Sequence, residues 1–423
     1  MSVRSAPVSD RVRPRRAVHR VRLLTTTSAI VAMALAVLAV TPGIANADEA
    51  ALPTPLADPF YAAPANLGDY ANGAIVAERK MPNPPGLSDL DTWQLKFRST
   101  DMYARPIAAV TTLLLPKNRR VDAPVLSFQD IVNALGLECA PSRTLFTQTN
   151  SLTARQVPAL GGLLAQGWVI AVPDHLGPRS AYGAAQLGGR ITLDGIKAAQ
   201  NLRTANISRS PVGLIGYSGG GMATAWAAAL APTYAPDLDL AGSAYGGAPM
   251  NLIKMAEGLG YNKPHPAFGL AYAAAVGLSR EYPNEIEMWD NLTPLGRSMY
   301  LQMQNACTTE ILEIGEDHSA DEMTPDVKVF DDPVARRVVA ANGLDAYPGV
   351  PNSPVFEWHS PTDELIPVDS IVATNDRYCR AGVRVTSLST PAPNHVAAYP
   401  LGLPGAFQWL SDRFAGAGAP STC

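Results

Sequence analysis

GYSGGG, residues 216–221, stands between the apolar run Pro211-Val212-Gly213-Leu214-Ile215 and a stretch of small residues from Met222 to Leu230. A buried strand that turns at once into a helix leaves its turn residue at the carboxyl edge of a parallel sheet, where α/β proteins bind their ligands. In a G-x-S-x-G turn of this kind, the nucleophile elbow, the serine is held in a strained backbone conformation. The residues two before and two after it must be small, because strand and helix approach closely there. Gly216 and Gly220 meet that requirement around Ser218. Gly219, Gly221 and the Ala/Thr-rich run beyond let the helix lie tight on the sheet, and its N-terminus aims a positive dipole at charge developing near Ser218. The alternative is a glycine-rich turn that merely contains a serine. The strand before it and the small-residue helix after it favour the elbow.

Outward from this turn, β-type runs alternate with helical stretches. Trp93 to Ser99 and Ala108 to Leu115 are joined by a short turn around Asp101 and read as an antiparallel start. From Val125 onward, apolar strands (Pro124 to Phe128, Gly167 to Pro173, Val212 to Gly216, Leu240 to Tyr245, Val355 to Trp358, Val383 to Leu388) are separated by helical patterns such as Leu193 to Arg203. That is the pattern of βαβ units and a buried, mostly parallel sheet. The Pro- and Gly-rich segment Leu52 to Asp89 is expected to wrap the surface before the first strand. The interval Met250 to Pro351 has apolar helical material, Phe268 to Leu278 and Met299 to Ala306, without strand alternation, and reads as an insertion.

A serine hydroxyl needs a base to take its proton, and the base needs an orienting carboxylate. On elbow-bearing α/β folds these follow in the order Ser, Asp/Glu, His. Among His175, His265, His318, His359 and His395, only His395 lies beyond a later strand and close to the C-terminus. The carboxylate belongs just after the preceding strand, where Val355 to Asp363 supplies Asp363. Glu364 is its nearest rival, while Asp369 and Asp376 fall on a helix expected to start near Val368. His359, at a strand end and before the acid, reads as a structural group. His175 follows a parallel strand and is a secondary candidate for lining the site. Ser218 and Asp363 are 145 residues apart. Two βα units of about 30 residues each leave roughly 80 to be housed, and a cap between Met250 and Pro351 would house them. One oxyanion N–H is expected from Gly219, and a second from the loop Gln129 to Ser142 after an early strand.

With 423 residues, 47% hydrophobic and 17% charged, the chain is long and apolar enough for a large core. Seven arginines within residues 1–22, an apolar run from Leu23 to Val40 and Ala45-Asn46-Ala47 before Asp48 read as a secretory signal peptide, residues 1–47. The uninterrupted apolar core after Ser28 ends at Val40, with Pro42 and Gly43 following, too short for a stable membrane anchor. The Arg15-Arg16 pair lacks the rest of a twin-arginine signal. Cleavage leaves 26 basic against 36 acidic residues. A net-acidic chain without a basic cluster is a poor partner for nucleic acid. The four cysteines, Cys139, Cys307, Cys379 and Cys423, all follow the peptide, so two disulfides are expected, with three pairings open. No C-x-x-C, H-E-x-x-H or phosphate-loop pattern calls for a metal or an organic cofactor.

Several fragments recur together: Ser127-Phe128-Gln129 with Cys139-Ala140-Pro141-Ser142, Val172-Pro173-Asp174 with Gly177-Pro178, Gly216 to Gly220, and His359-Ser360 with Asp363-Glu364 and Ile366-Pro367. In these pieces, at matching intervals over most of the chain, the sequence resembles the secretory lipases typified by lipase A of Candida antarctica. The resemblance implies an α/β-hydrolase: core in residues 48–250 and 351–423, and a mainly helical cap in 251–350 that holds an acyl-binding tunnel. It implies a triad of Ser218, Asp363 and His395, and places the second oxyanion donor at Asn133, where the family typically carries aspartate. It also pairs Cys139 with Cys307 and Cys379 with Cys423.

The expected function is that of a secreted, extracellular serine carboxylester hydrolase, a triacylglycerol lipase acting on fatty-acyl esters and touching a lipid interface without a membrane anchor. A short-chain esterase or an exported acyltransferase would use the same triad. A non-catalytic binding protein on this fold would normally have lost a triad member. The apolar cap stretch Pro266 to Val276 is expected either to touch the acyl chain or to form the cap's own core.

Overall fold

Buried apolar strands of five to eleven residues dominate the middle of the fold. The computed structural model describes residues 52–147, 152–326 and 332–423; the expected signal peptide, residues 1–47, lies outside them. Nine described strands form one sheet: β1 (Ile75–Met81), β2 (Leu90–Thr100), β3 (Pro106–Pro116), β4 (Val125–Gln129), β5 (Val169–Pro173), β6 (Val212–Tyr217), β7 (Leu240–Gly246), β8 (Val355–His359) and β9 (Val385–Ser389). Their spatial order is β1-β2-β3-β5-β4-β6-β7-β8-β9. The first pairs and β3 with β5 are antiparallel, and everything from β5 to β9 is parallel. Every residue of β4, β5, β6 and β8 is buried, as a sheet covered on both faces demands.

The helices that cover it are α1 (Pro141–Thr144), α2 (Leu152–Ala165), α3 (Ala185–Asn201), α4 (Gly219–Tyr234), α11 (Val368–Arg380) and α12 (His395–Phe414). Alternation along β3 separates the faces: Leu113 and Leu115 join a core with α3 and α4, whereas Leu114 joins one with α2 and α12. Between β7 and β8 the described residues form only helices: α5 (Leu252–Gly258), α6 (Phe268–Glu281), α7 (Pro294–Met303), α8 (Thr308–Gly315), α9 (Ala320–Met323) and α10 (Pro333–Ala341). Phe268, Tyr272, Val276, Met299, Met303 and Ile311 share a separate core there, which Leu135 and Tyr182 enter from the loops after β4 and β5.

One strand departs from the sequence reading. β1 lies inside the segment expected only to wrap the surface. Its apolar run is only Ile75-Val76-Ala77, the rest alternates between part-buried and exposed, and its extended form comes from pairing with β2 at the sheet edge. Cys139 pairs with Cys307, tying the loop after β4 to the start of α8, and Cys379 pairs with Cys423, tying the end of α11 to the C-terminal tail. That tail runs along edge strand β9, where Thr422 N–H donates to the Val385 carbonyl at 2.8 Å.

Candidate active site

Ser218 sits between β6 and α4 with φ +54° and ψ −121°, a region that costs a side-chain-bearing residue of order 1–3 kcal/mol. The strain persists because both flanks are fixed. Ser218 N–H donates to the Gly246 carbonyl at 2.9 Å, and its own carbonyl accepts from Met222 N–H at 2.8 Å. A Cβ at Gly216 would collide with the Gly220 carbonyl, and one at Gly220 with the Gln129 carbonyl, so both elbow glycines are required by close approach.

His395 is the first residue of α12, capped by Asn394, whose side chain accepts from Ala397 N–H at 2.8 Å. Its Nε2 lies 2.9 Å from Ser218 Oγ and its Nδ1 2.7 Å from Asp363 Oδ2. Asp363 comes from the loop after β8 with its side chain fully buried; its other oxygen accepts from the N–H groups of Leu365 and Ile366 at 3.0 and 2.8 Å. Both carboxylate oxygens are therefore satisfied, which holds the group in one orientation. Tyr217 donates its hydroxyl to the His395 carbonyl at 2.6 Å and lays its ring 5.0 Å from the imidazole. Burial, with Asp363's charge nearby, pushes that phenol well above its ordinary range, so it stays a donor.

Glu364, the rival acid, does not reach the ring; it accepts from the His395 backbone N–H at 2.8 Å. Asp369 and Asp376 lie on α11, and Asp369 pairs with Lys254. Burial lowers the His359 pKa, but the Glu357 carboxylate at 3.0 Å and the charge of Asp363 together outweigh it, so the pKa is raised. His265 and His318 bridge within the insertion, His265 N–H to the His318 carbonyl. His175 does not line the chamber around Ser218; it lies in a small cavity behind the loop that carries Asn133, where burial holds it down to about 4. The roles of Tyr217 and Glu364 went unread, since no local pattern marks a side chain that acts on a backbone 31 or 178 residues away.

The chamber itself is a cavity of about 30 Å³ lined by Ser218, Gly219 and Asn133 on one side and by Met222, Leu252, Met255, Leu270, Ala274, Leu365 and Ile366. Most of the apolar Pro266 to Val276 stretch is spent on the insertion's own core, and Leu270 and Ala274 reach the chamber. A larger cavity of about 590 Å³ lies elsewhere, between the N-terminal segment, β3 and the turn after β5, and holds none of Ser218, Asp363 or His395. Asn133 N–H donates to Thr308 Oγ1 at 3.4 Å, while its side-chain Oδ1 is buried without a partner directly over Gly219.

A strained serine at the carboxyl edge of a parallel sheet, hydrogen-bonded to a histidine that a buried aspartate orients, is the arrangement of a serine ester hydrolase on the α/β-hydrolase fold. The secretory lipase family model matches residues 141–421. Lipase A of Moesziomyces aphidis is 31% identical over 412 residues, covering 94% of this chain and 88% of that protein. A Mycobacterium tuberculosis protein named a probable inactive lipase is 32% identical over 381 residues, 86% of this chain and 83% of its own length. The crystal structure of Candida antarctica lipase A in its closed state superposes with a TM-score of 0.82 at 28% identity, over 88% of this chain and 89% of that one. The chain belongs to the secretory lipase family and is a carboxylic ester hydrolase.

Proposed function

We propose that this chain is an exported triacylglycerol lipase that cleaves fatty-acyl esters through an acyl-enzyme, with Ser218, His395 and Asp363 as its triad and residues 251–350 as the cap. The unbroken contact from Asp363 to His395 to Ser218, at 2.7 and 2.9 Å, carries this reading. Ser218 Oγ bonds to the ester carbonyl carbon as the C=O π pair moves onto oxygen, and the hydroxyl proton passes to Nε2 of neutral His395. Collapse expels the alcohol, which takes that proton. Water repeats the sequence and releases the acid. Asp363 holds the tautomer and stabilises the imidazolium. Gly219 N–H, in the unpaired first turn of α4, is one oxyanion donor. Asn133 is the second, through its backbone N–H, whose contact with Thr308 Oγ1 is long at 3.4 Å, or through its side-chain amide.

The apolar lining of the chamber supports an acyl chain as the bound group. Signal-peptide cleavage before Asp48 and the two disulfides support an extracellular site of action. Family membership includes a relative named as inactive, but here the triad side chains are in contact, which favours catalysis over binding alone.

Initial rates of the purified mature chain on nitrophenyl esters from acetate to palmitate, beside Ser218→Ala, test the reading. Activity held at ten or more carbons, with the variant down by about 10⁴-fold or more, is expected. A collapse beyond butyrate turns the assignment to a short-chain esterase, and ester cleavage indifferent to Ser218 removes it.

A further inference from the structure

The structure assigns Glu364 as a positioning residue for His395: its carboxylate fixes the backbone from which the imidazole hangs. This rests on the triad proposed above. α12 begins at His395, and the first N–H groups of a helix have no intrahelical acceptor. Asn394 satisfies one of them, at Ala397. The N–H of His395 itself is taken by Glu364 Oε2 at 2.8 Å, across 31 residues of sequence. On the other side of the same residue, Tyr217 holds the carbonyl at 2.6 Å. The two adjacent carboxylates therefore grip one histidine at two points, Asp363 at the ring and Glu364 at the main chain.

The loop that carries both acids is in turn stitched to the loop that leads into His395. Thr390 N–H donates to the His359 carbonyl at 2.9 Å, Ser360 Oγ to the Ala392 carbonyl at 2.9 Å, and Thr362 Oγ1 to the Pro393 carbonyl at 3.0 Å. Glu364 closes this series at its end nearest the chemistry. Its carboxylate lies at the positive end of α12, where a negative group is favoured. Removing the acceptor frees the start of the helix.

Glu364→Gln keeps an acceptor oxygen and loses the charge, whereas Glu364→Ala loses both. Glu364→Ala is expected to lower kcat by about 10- to 100-fold with KM little changed, the size that slight misplacement of a catalytic group produces. Glu364→Gln is expected to recover most of that kcat. The imidazole Cε1–H resonance of His395, followed by NMR at one pH, should shift in Glu364→Ala and return toward its wild-type position in Glu364→Gln, and it reads out whether or not an ester is cleaved. Wild-type kcat and an unmoved His395 resonance in Glu364→Ala overturn the assignment. So does a loss of Tm without either change, or a Glu364→Gln variant no better than Glu364→Ala. An inactive wild type whose His395 resonance still depends on Glu364 would instead remove the lipase reading and leave this one standing.

Discussion

On the function proposed above, Asn133 is where a single side chain would most affect the oxyanion. Its N–H makes a long contact to Thr308 Oγ1 in the helical insertion at 3.4 Å, and its Oδ1 is buried over Gly219 with no partner, a state that ordinarily costs about 1–3 kcal/mol. A rotation of about 180° about the last side-chain bond, between the two wells of its two-fold torsion, exchanges the amide oxygen and nitrogen. A developing oxyanion at Gly219 would draw the N–H₂ group toward it and relieve the orphaned oxygen. Asn133→Ala should therefore lower kcat at neutral pH by about 10²- to 10³-fold, the loss typical of one oxyanion donor. Near-wild-type turnover by Asn133→Ala would mean that a backbone N–H suffices.

At the level of elements, the helical insertion is joined to the sheet by the Cys139–Cys307 bridge and by Arg280, near the end of α6. The Arg280 guanidinium is buried and donates to the carbonyls of Leu135, Arg179, Ser180 and Gln304. Leu135 is two residues beyond Asn133, so this one side chain fixes the loop after β4, the turn after β5 and the α7–α8 junction together. Burial brings its pKa down to about 10, still charged at neutral pH. Arg280→Met keeps the apolar stem and leaves these carbonyls short of a donor, so a loss of about 2–4 kcal/mol is expected, visible as a Tm several degrees lower in a thermal melt. If Tm is unchanged, the cap is held by its apolar contacts instead.

Across the whole molecule, several buried acids and histidines set stability against pH, and two neighbours in the turn after β5 make opposite demands. Burial pushes the Asp174 carboxyl up to about 7, against two hydrogen bonds from Ser142 that draw it down, and burial holds His175 down to about 4. Between about pH 4 and 7 the folded chain keeps a proton on Asp174 that the unfolded chain has lost, so that carboxyl makes stability fall as pH rises. Between about 4 and 6.5 the unfolded chain holds a proton on His175 that the folded chain has released, so that ring makes stability rise over nearly the same window. Asp174→Asn removes the first slope alone, and Tm should then climb more steeply from pH 4 to 6.5 than in the wild type; a flatter curve would contradict the assignment.

Much of this protein is legible in its chain. The elbow glycines, the order of serine, acid and histidine, and the apolar strands are local signals, set by backbone sterics and by the burial that a doubly covered sheet imposes on each residue. Asp363 and His395, which meet at 2.7 Å, each follow a strand that announces itself by composition. Packing alone decided the rest. β1 is extended only because β2 offers it partners, two of three cysteine pairings are ruled out only by where loops meet, and Asp363 and Glu364, identical in charge and adjacent in sequence, take different parts of one histidine. Such choices depend on which side chains come within about 3 Å after folding, a distance that residues 31 to 178 positions apart acquire only when the sheet, its helices and the cap close on one another.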